Sequence, residues 1–170
     1  RHGPAAHHQL KRQEAGGKIA CVLRQEEEMS TLENLDFYCV DYAQRVIGNL
    51  KAKAPQVRLT GDEVAHFASR LLNVLYNNGL YACLLYLGWK ATEGTPGEKV
   101  VASLVESQLV GRRGDPALLR LEPIALPIKE AGDSLEAGRL LSKDLDDLFL
   151  ARDLLARTLM YVRYHAKTMA

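Results

Sequence analysis

The sequence is short of everything that would staple a small fold from outside. Its three cysteines, Cys21, Cys39 and Cys83, are odd in number and widely spaced. With no CxxC and no histidine pair at zinc spacing, a disulfide framework and a Cys/His zinc module are both excluded. Cys39 and Cys83 fall inside apolar helical patterns and are expected as buried free thiols in a reducing cytoplasm. Charge of one sign is not in excess either: 22 Lys and Arg stand against 21 Asp and Glu, a formal net of +1. That excludes a histone-like polycation, so any nucleic-acid contact must come from local stripes of charge. Residues 1–18 are rich in His, Gly and Lys and carry no apolar run, so no secretory signal is legible. β-Branched runs are few and no hairpin dipeptide separates alternating strands, which argues against a β fold.

One uncharged run is long. Residues 71–89 span 19 positions without a charge, nominally enough for a bilayer. Asn73, Asn77, Asn78 and Gly79 cluster at its middle, however, where unpartnered amides would be costly in lipid. A buried helical segment with a joint at its centre, and no membrane contact, is the expectation.

What remains is an ordinary globular composition, 47% hydrophobic and 25% charged over 170 residues. A chain of that length buries roughly two-thirds of its unfolded surface in one domain. Residues 1–30 show no periodic apolar face and read as a flexible basic extension, with residues 31–170 a single helical domain. Helix starts are legible along it. Ser30 with Glu33, Thr60 with Glu63, and Thr95 with Glu98 have capping-box spacing, the last with Pro96 at the first helical position. Leu35, Cys39, Tyr42, Val46 and Leu50 form one helical face, ended by Pro55. Val64, Phe67, Leu71 and Leu75 form a second, and Val101, Leu104, Val105 and Gln108 a third that closes at Gly111.

Residues 111–127 are punctuated by Gly and Pro, and Leu119, Leu121, Ile124 and Leu126 suggest an extended segment laid on the core. A short helix near residues 135–141 follows, capped by Asp133 or Ser134. The closing helix carries Leu145, Leu148, Phe149, Leu155, Leu159 and Val162 inward, with Asp144, Asp146 and Asp147 complementing its N-terminal dipole. The fold class is all-α, a bundle of about five to six helices with one irregular connection.

No catalytic constellation is present. His66 and His165 are the only histidines beyond the extension, and His66 has no carboxylate one turn away. The three aspartates lack the glycine turn and ligand spacing of a calcium loop, and no phosphate-binding Gly-rich loop or dinucleotide fingerprint occurs. The chain is expected to be no enzyme, with no metal and no cofactor.

The binding signal is a row of cations. Arg152 and Arg163, 11 residues apart, lie about 20° apart around the helix axis, and Lys167 about 60° from Arg152. Arg157 flanks this stripe and Asp153 opposes it. Arg112 and Arg113, between two glycines, offer guanidinium groups from a loop. Such cations suit sequence-independent contact with phosphates, and a solvated helix face is the plain alternative. Tyr81, Tyr86, Trp89, Tyr161 and Tyr164 suit base stacking, with packing as the plainer role for most.

The segment Asn78-Gly79-Leu80-Tyr81-Ala82-Cys83-Leu84-Leu85-Tyr86-Leu87-Gly88-Trp89-Lys90 resembles the signature of the small subunit of the Cmr (type III-B) CRISPR effector complex. The closing run Tyr161-Val162-Arg163-Tyr164-His165-Ala166-Lys167 is similar to that family's last helix, and Tyr42-Ala43-Gln44-Arg45-Val46 to its first. Where the family often has a proline before the joint, this chain has Leu72. The resemblance implies a compact helical, non-catalytic subunit that stacks head-to-tail with copies of itself in the inner filament of an antiviral ribonucleoprotein. There it lines the channel of guide RNA and target RNA beside the other Cmr subunits. On that reading Arg112, Arg113, Arg152, Arg163 and Lys167 face the RNA backbone. The competing expectation is a helical adaptor that binds only protein partners.

Overall fold

The computed structural model describes residues 35–122 and 124–169; the expectations for residues 1–30, for Cys21 and for the Ser30 capping box lie outside the described residues. The described residues fall in one unit and contain helices and turns but no strand. The all-α expectation is met.

Helix α1 covers residues 35–57 and turns Cys39, Tyr42, Val46 and Leu50 into the core. Pro55 does not end it. A proline there costs one N–H near a helix end, and two further residues remain helical. The stop comes at Arg58, whose φ of 52° is left-handed, while the Leu59 N–H donates to the Ala54 carbonyl at 3.2 Å. This is a Schellman closure with arginine where glycine is usual.

Helix α2, Gly61–Glu93, begins with the expected box: the Thr60 hydroxyl accepts from the Glu63 N–H, and the Glu63 carboxylate accepts from the Thr60 N–H at 2.8 Å. At Gly79 the backbone leaves the helix, with φ 87° and ψ 178°, a conformation essentially confined to glycine. The consequence is large. Along an unbroken helix Leu71 and Cys83 would be about 18 Å apart. Here the Cys83 Sγ lies 3.9 Å from the Leu71 carbonyl oxygen, and the Phe67 and Tyr86 rings are 6.4 Å apart. Residues 61–78 and 80–93 are therefore two arms folded back against each other. The joint foreseen at Asn78-Gly79 is a helical hairpin with almost no loop.

Helix α3, Pro96–Val105, starts on the Thr95–Glu98 box with Pro96 in the first turn. Its last turn widens to a π-turn, Glu106–Val110, before Gly111 at φ 65°. The extra residue per turn moves the inward position from Gln108, which is only half-buried, to Leu109 and Val110, which are fully buried. The following connection covers the core as expected, but as a 3-10 turn, Leu118–Arg120, and successive turns instead of an extended segment. Helix α4, Ser134–Leu141, is capped by Asp133, whose carboxylate accepts from the Glu136 N–H. Helix α5, Leu145–Ala166, is capped by Asp144, which accepts from the Asp146 and Asp147 N–H groups.

Helix α2 is the hub, packing on α5, α3 and α4. Helix α1 is tied to α5 by the Cys39 thiol on the Leu154 carbonyl (3.7 Å) and the Tyr161 hydroxyl on the Asp36 carboxylate (3.0 Å). Cys39 and Cys83 are buried free thiols, and burial pushes the Cys83 thiol up to about 12. The inward face of α5 is Ala151, Leu154, Leu155, Leu159, Val162 and Ala166. Leu145 and Phe149, expected inward, are 66% and 56% exposed, because they share the solvent face of α5 with Asp153 while Leu148 and Leu150 pack against the core.

The irregular connection depends on Arg120. Its Nε donates to the Val110 carbonyl (2.9 Å), Nη1 to Ile128 (2.7 Å) and Lys129 (3.2 Å), and Nη2 to Gly111 (3.1 Å) and Ala131 (3.0 Å). A planar fork thus satisfies carbonyls that no ladder reaches.

Two stability outcomes follow from these constraints. Gly79→Ala, whose Cβ meets nothing within 4 Å, should cost about 1–3 kcal/mol by backbone strain alone in urea unfolding; unchanged stability would mean the break is not held in that conformation. Arg120→Met should leave several carbonyls unpaired at about 1–3 kcal/mol each, and Arg120→Lys should recover only a minor part. Full recovery by lysine would show that charge, not the fork, is what the connection requires.

Candidate nucleic-acid interface

Helix α5 sets the geometry of the proposed contact row. Its crest toward solvent carries Asp153 and Arg157, which neutralise each other through Nε to Oδ2 at 2.9 Å; Arg157 also reaches Asp36 at 4.0 Å. The acid expected to oppose the stripe is therefore committed to the flanking cation. Arg152 and Arg163 lie off the crest and are half-buried, on the edge of α5 that borders the first arm of α2. The two elements run antiparallel there. At one end Gly61, lacking a Cβ, admits the Ala166 carbonyl, and at the other the Arg152 Nη2 donates to the Tyr76 carbonyl at 3.2 Å.

That last bond ties the stripe to the hairpin. The Tyr76 carbonyl lies one turn before the break, where its ordinary helical donor would be the Leu80 N–H beyond Gly79. The Arg152 guanidinium carbon also sits 5.7 Å from the Tyr76 ring centroid, and its Nε is buried without a hydrogen-bond partner. Arg163 stands 6.0 Å from the Tyr164 ring centroid. Lys167, at the end of α5, is exposed. Among the described residues none of Arg152, Arg163 and Lys167 forms an ion pair.

The loop cations lie apart from this row. Arg112 is exposed, with its backbone N–H donating to Asp115 at 2.8 Å, and Arg113 pairs with Glu130 at 2.8 Å. The flanking turns pack chiefly on α3 and on each other. The five residues expected at the interface thus divide into an α5 edge and a separate loop.

The aromatic candidates divide too. Tyr86 packs edge-on against Trp89 at 5.8 Å and beside Phe67, and Tyr161 donates to Asp36, so both serve the fold. Tyr81, Trp89 and Tyr164 are 45%, 54% and 59% exposed. The uncharged run is accordingly not buried throughout: its hairpin leaves Tyr76, Tyr81, Leu85 and Trp89 facing outward. Sequence reasoning missed Tyr76 and misplaced Phe149. A helical wheel could have set Tyr76 apart from Leu75, but not beside Arg152.

Neither His66 nor His165 has a side-chain hydrogen bond or ion pair among the described residues. No group of three His, Cys, Asp or Glu side chains there is placed to hold a metal ion. His66 borders a groove of about 760 Å³ between α2 and α3, whose charged wall is a latch: Glu98 accepts from Arg70 (2.8 Å) and Lys90 (3.2 Å), one from each arm of α2. No described helix is long and apolar enough to cross a membrane. Comparison with protein-family models, curated proteins and solved structures returns no match.

The latch makes a pH prediction. The Thr95 N–H, and then Lys90 and Arg70, hold the Glu98 carboxyl below its ordinary value. A group depressed on folding contributes stability above its unfolded value, and that contribution is lost as pH falls through the folded value. Stability should therefore decline on acidification below about pH 4.5, the ordinary glutamate value. Glu98→Gln should be less stable than the wild type at neutral pH and converge with it in acid. A constant difference across pH would remove Glu98 as the titrating latch.

Proposed function

We propose that this chain is a non-catalytic, RNA-contacting subunit of an antiviral ribonucleoprotein of the type III-B CRISPR effector class, the Cmr complex whose small subunit it resembles. The observation that carries this reading is the uncompensated row on α5. Arg152, Arg163 and Lys167 have no acidic partner among the described residues, while Asp153 beside them is taken up by Arg157. Cations left without ion pairs along one helix edge of a chain whose net charge is only +1 suit phosphates, which neutralise them regardless of base sequence. The Asn78-Gly79 segment on which the resemblance rests is also where the chain turns back on itself, which supports reading it as a fold-defining signature.

Guide RNA and target RNA are the proposed ligands, other Cmr subunits and stacked copies of the chain the proposed partners, and the cytoplasm the proposed compartment. Arg163 and Lys167 lead the contact, since Arg152 has the Tyr76 carbonyl to serve as well. Arg112 belongs to a second contact on the loop, where Arg113 must first leave Glu130. A purely protein-binding adaptor is the other reading, favoured by the outward Leu85 and Trp89 at 47% and 54% exposure.

RNA affinity should fall steeply with salt and vary little with base sequence. Arg163→Glu with Lys167→Glu should weaken binding to any sequence and flatten the salt slope by about one unit for each phosphate no longer neutralised. Tagged protein recovered from its native host should bring a guide RNA and large subunits with it. Protein partners alone, insensitive to ribonuclease, would replace this reading with the adaptor.

A further inference from the structure

Phe149 lies one turn before Arg152 on α5, about 60° around the axis on its solvent side, and across the seam Tyr76 stands against the Arg152 guanidinium. Tyr76 is 53% exposed and Phe149 56% exposed, so both rings keep much of their surface open to solvent. Arg152 has no carboxylate among the described residues, and its Nε is the one buried side-chain polar atom there that lacks a partner. One exposed ring against an unneutralised guanidinium, with a second exposed ring one turn away along α5, suits a flat, electron-rich ligand attached to an anion. The row then continues with Arg163 and Lys167, the latter about 22 Å along the axis from Arg152.

From this juxtaposition we infer that Tyr76 and Phe149, beside Arg152, form a stacking platform for an unpaired base of a single-stranded RNA, with the α5 cations tracking its phosphates. The inference rests on the RNA reading above and deepens it, since backbone contact alone would treat a duplex and a single strand alike. Bases held in a duplex keep their faces stacked on one another, whereas aromatic side chains accept the free face of any unpaired base. Charge complementarity favours this occupant over an apolar helix of a protein partner. A protein ligand would leave the Arg152–Arg163–Lys167 row unanswered unless it were itself strongly acidic.

The test compares the full chain with Tyr76→Ala, Phe149→Ala and Tyr76→Phe, none of which removes a hydrogen bond from the fold described above. The probes are an oligouridine single strand and a mixed-sequence RNA duplex of equal length, titrated by fluorescence anisotropy at two salt concentrations. Each alanine variant should lose about tenfold in single-strand affinity, with duplex affinity and salt slope unchanged, and Tyr76→Phe should bind as the wild type does. Wild-type affinity of both alanine variants for the single strand would overturn the platform, and would leave the RNA reading standing if the Arg163 and Lys167 reversals still weaken both probes. Absence of salt-dependent binding to either probe would overturn both. Loss of self-association in the alanine variants, seen by sedimentation with RNA binding intact, would assign the rings to a second copy of the chain instead.

Discussion

Gly79 is the constraint from which the rest of the bundle takes its shape. Its φ of 87° with an extended ψ turns a 33-residue helix, which would otherwise run about 50 Å, into two arms in mutual contact. That fold-back brings Cys83 to the Leu71 carbonyl and Tyr86 to Phe67, creating a core that neither arm could make alone. Helix α3 then bridges the arms through Glu98, and α5 closes against the first arm through Arg152. Helix, hairpin and latch are one system, because each later contact presupposes that the arms are already side by side.

The second organising device is polar satisfaction outside the helices. A connection of this length without a ladder would leave buried carbonyls unpaired, at a cost no apolar contact offsets. Arg120 answers five carbonyls from a single planar group, four of them on buried residues. The Tyr42 hydroxyl adds a bond to the Pro116 carbonyl at 3.1 Å, joining the connection to α1. Arginine is thus used in two ways in this protein. Arg120 is consumed by the backbone, whereas Arg163 is left without an acidic partner among the described residues, and Arg152 stands between these roles.

On the proposed RNA reading, these roles bear on how a neutral chain would engage a polyanion. With a net charge of +1, attraction cannot come from the whole molecule and must be local. Pairing Asp153 with Arg157 at the crest of α5 removes the nearest repulsion, so the edge beside it presents positive charge despite the overall balance. On the same reading the exposed Tyr76 ring at this seam would add contact area that does not depend on charge.

The sequence by itself determined the elements. Capping boxes at Thr60 and Thr95, apolar spacing on α1 and α2, and the Asn-Gly joint are all local signals, read from residues a turn or less apart. Their physics is complete within a few residues, so no tertiary knowledge is needed to place them. Tertiary structure alone decided what depends on residues distant in sequence. The joint proved to be a full reversal because Leu71 and Cys83 pack together; Pro55 failed to stop α1 because a closure at Arg58 was available. Phe149 faces outward because the core lies on the side of α5 that carries Leu148 and Ala151, and Arg120 looks like a surface cation until five carbonyls converge on it. Arg152 and Tyr76 are 76 residues apart, and nothing local to either residue records that they meet.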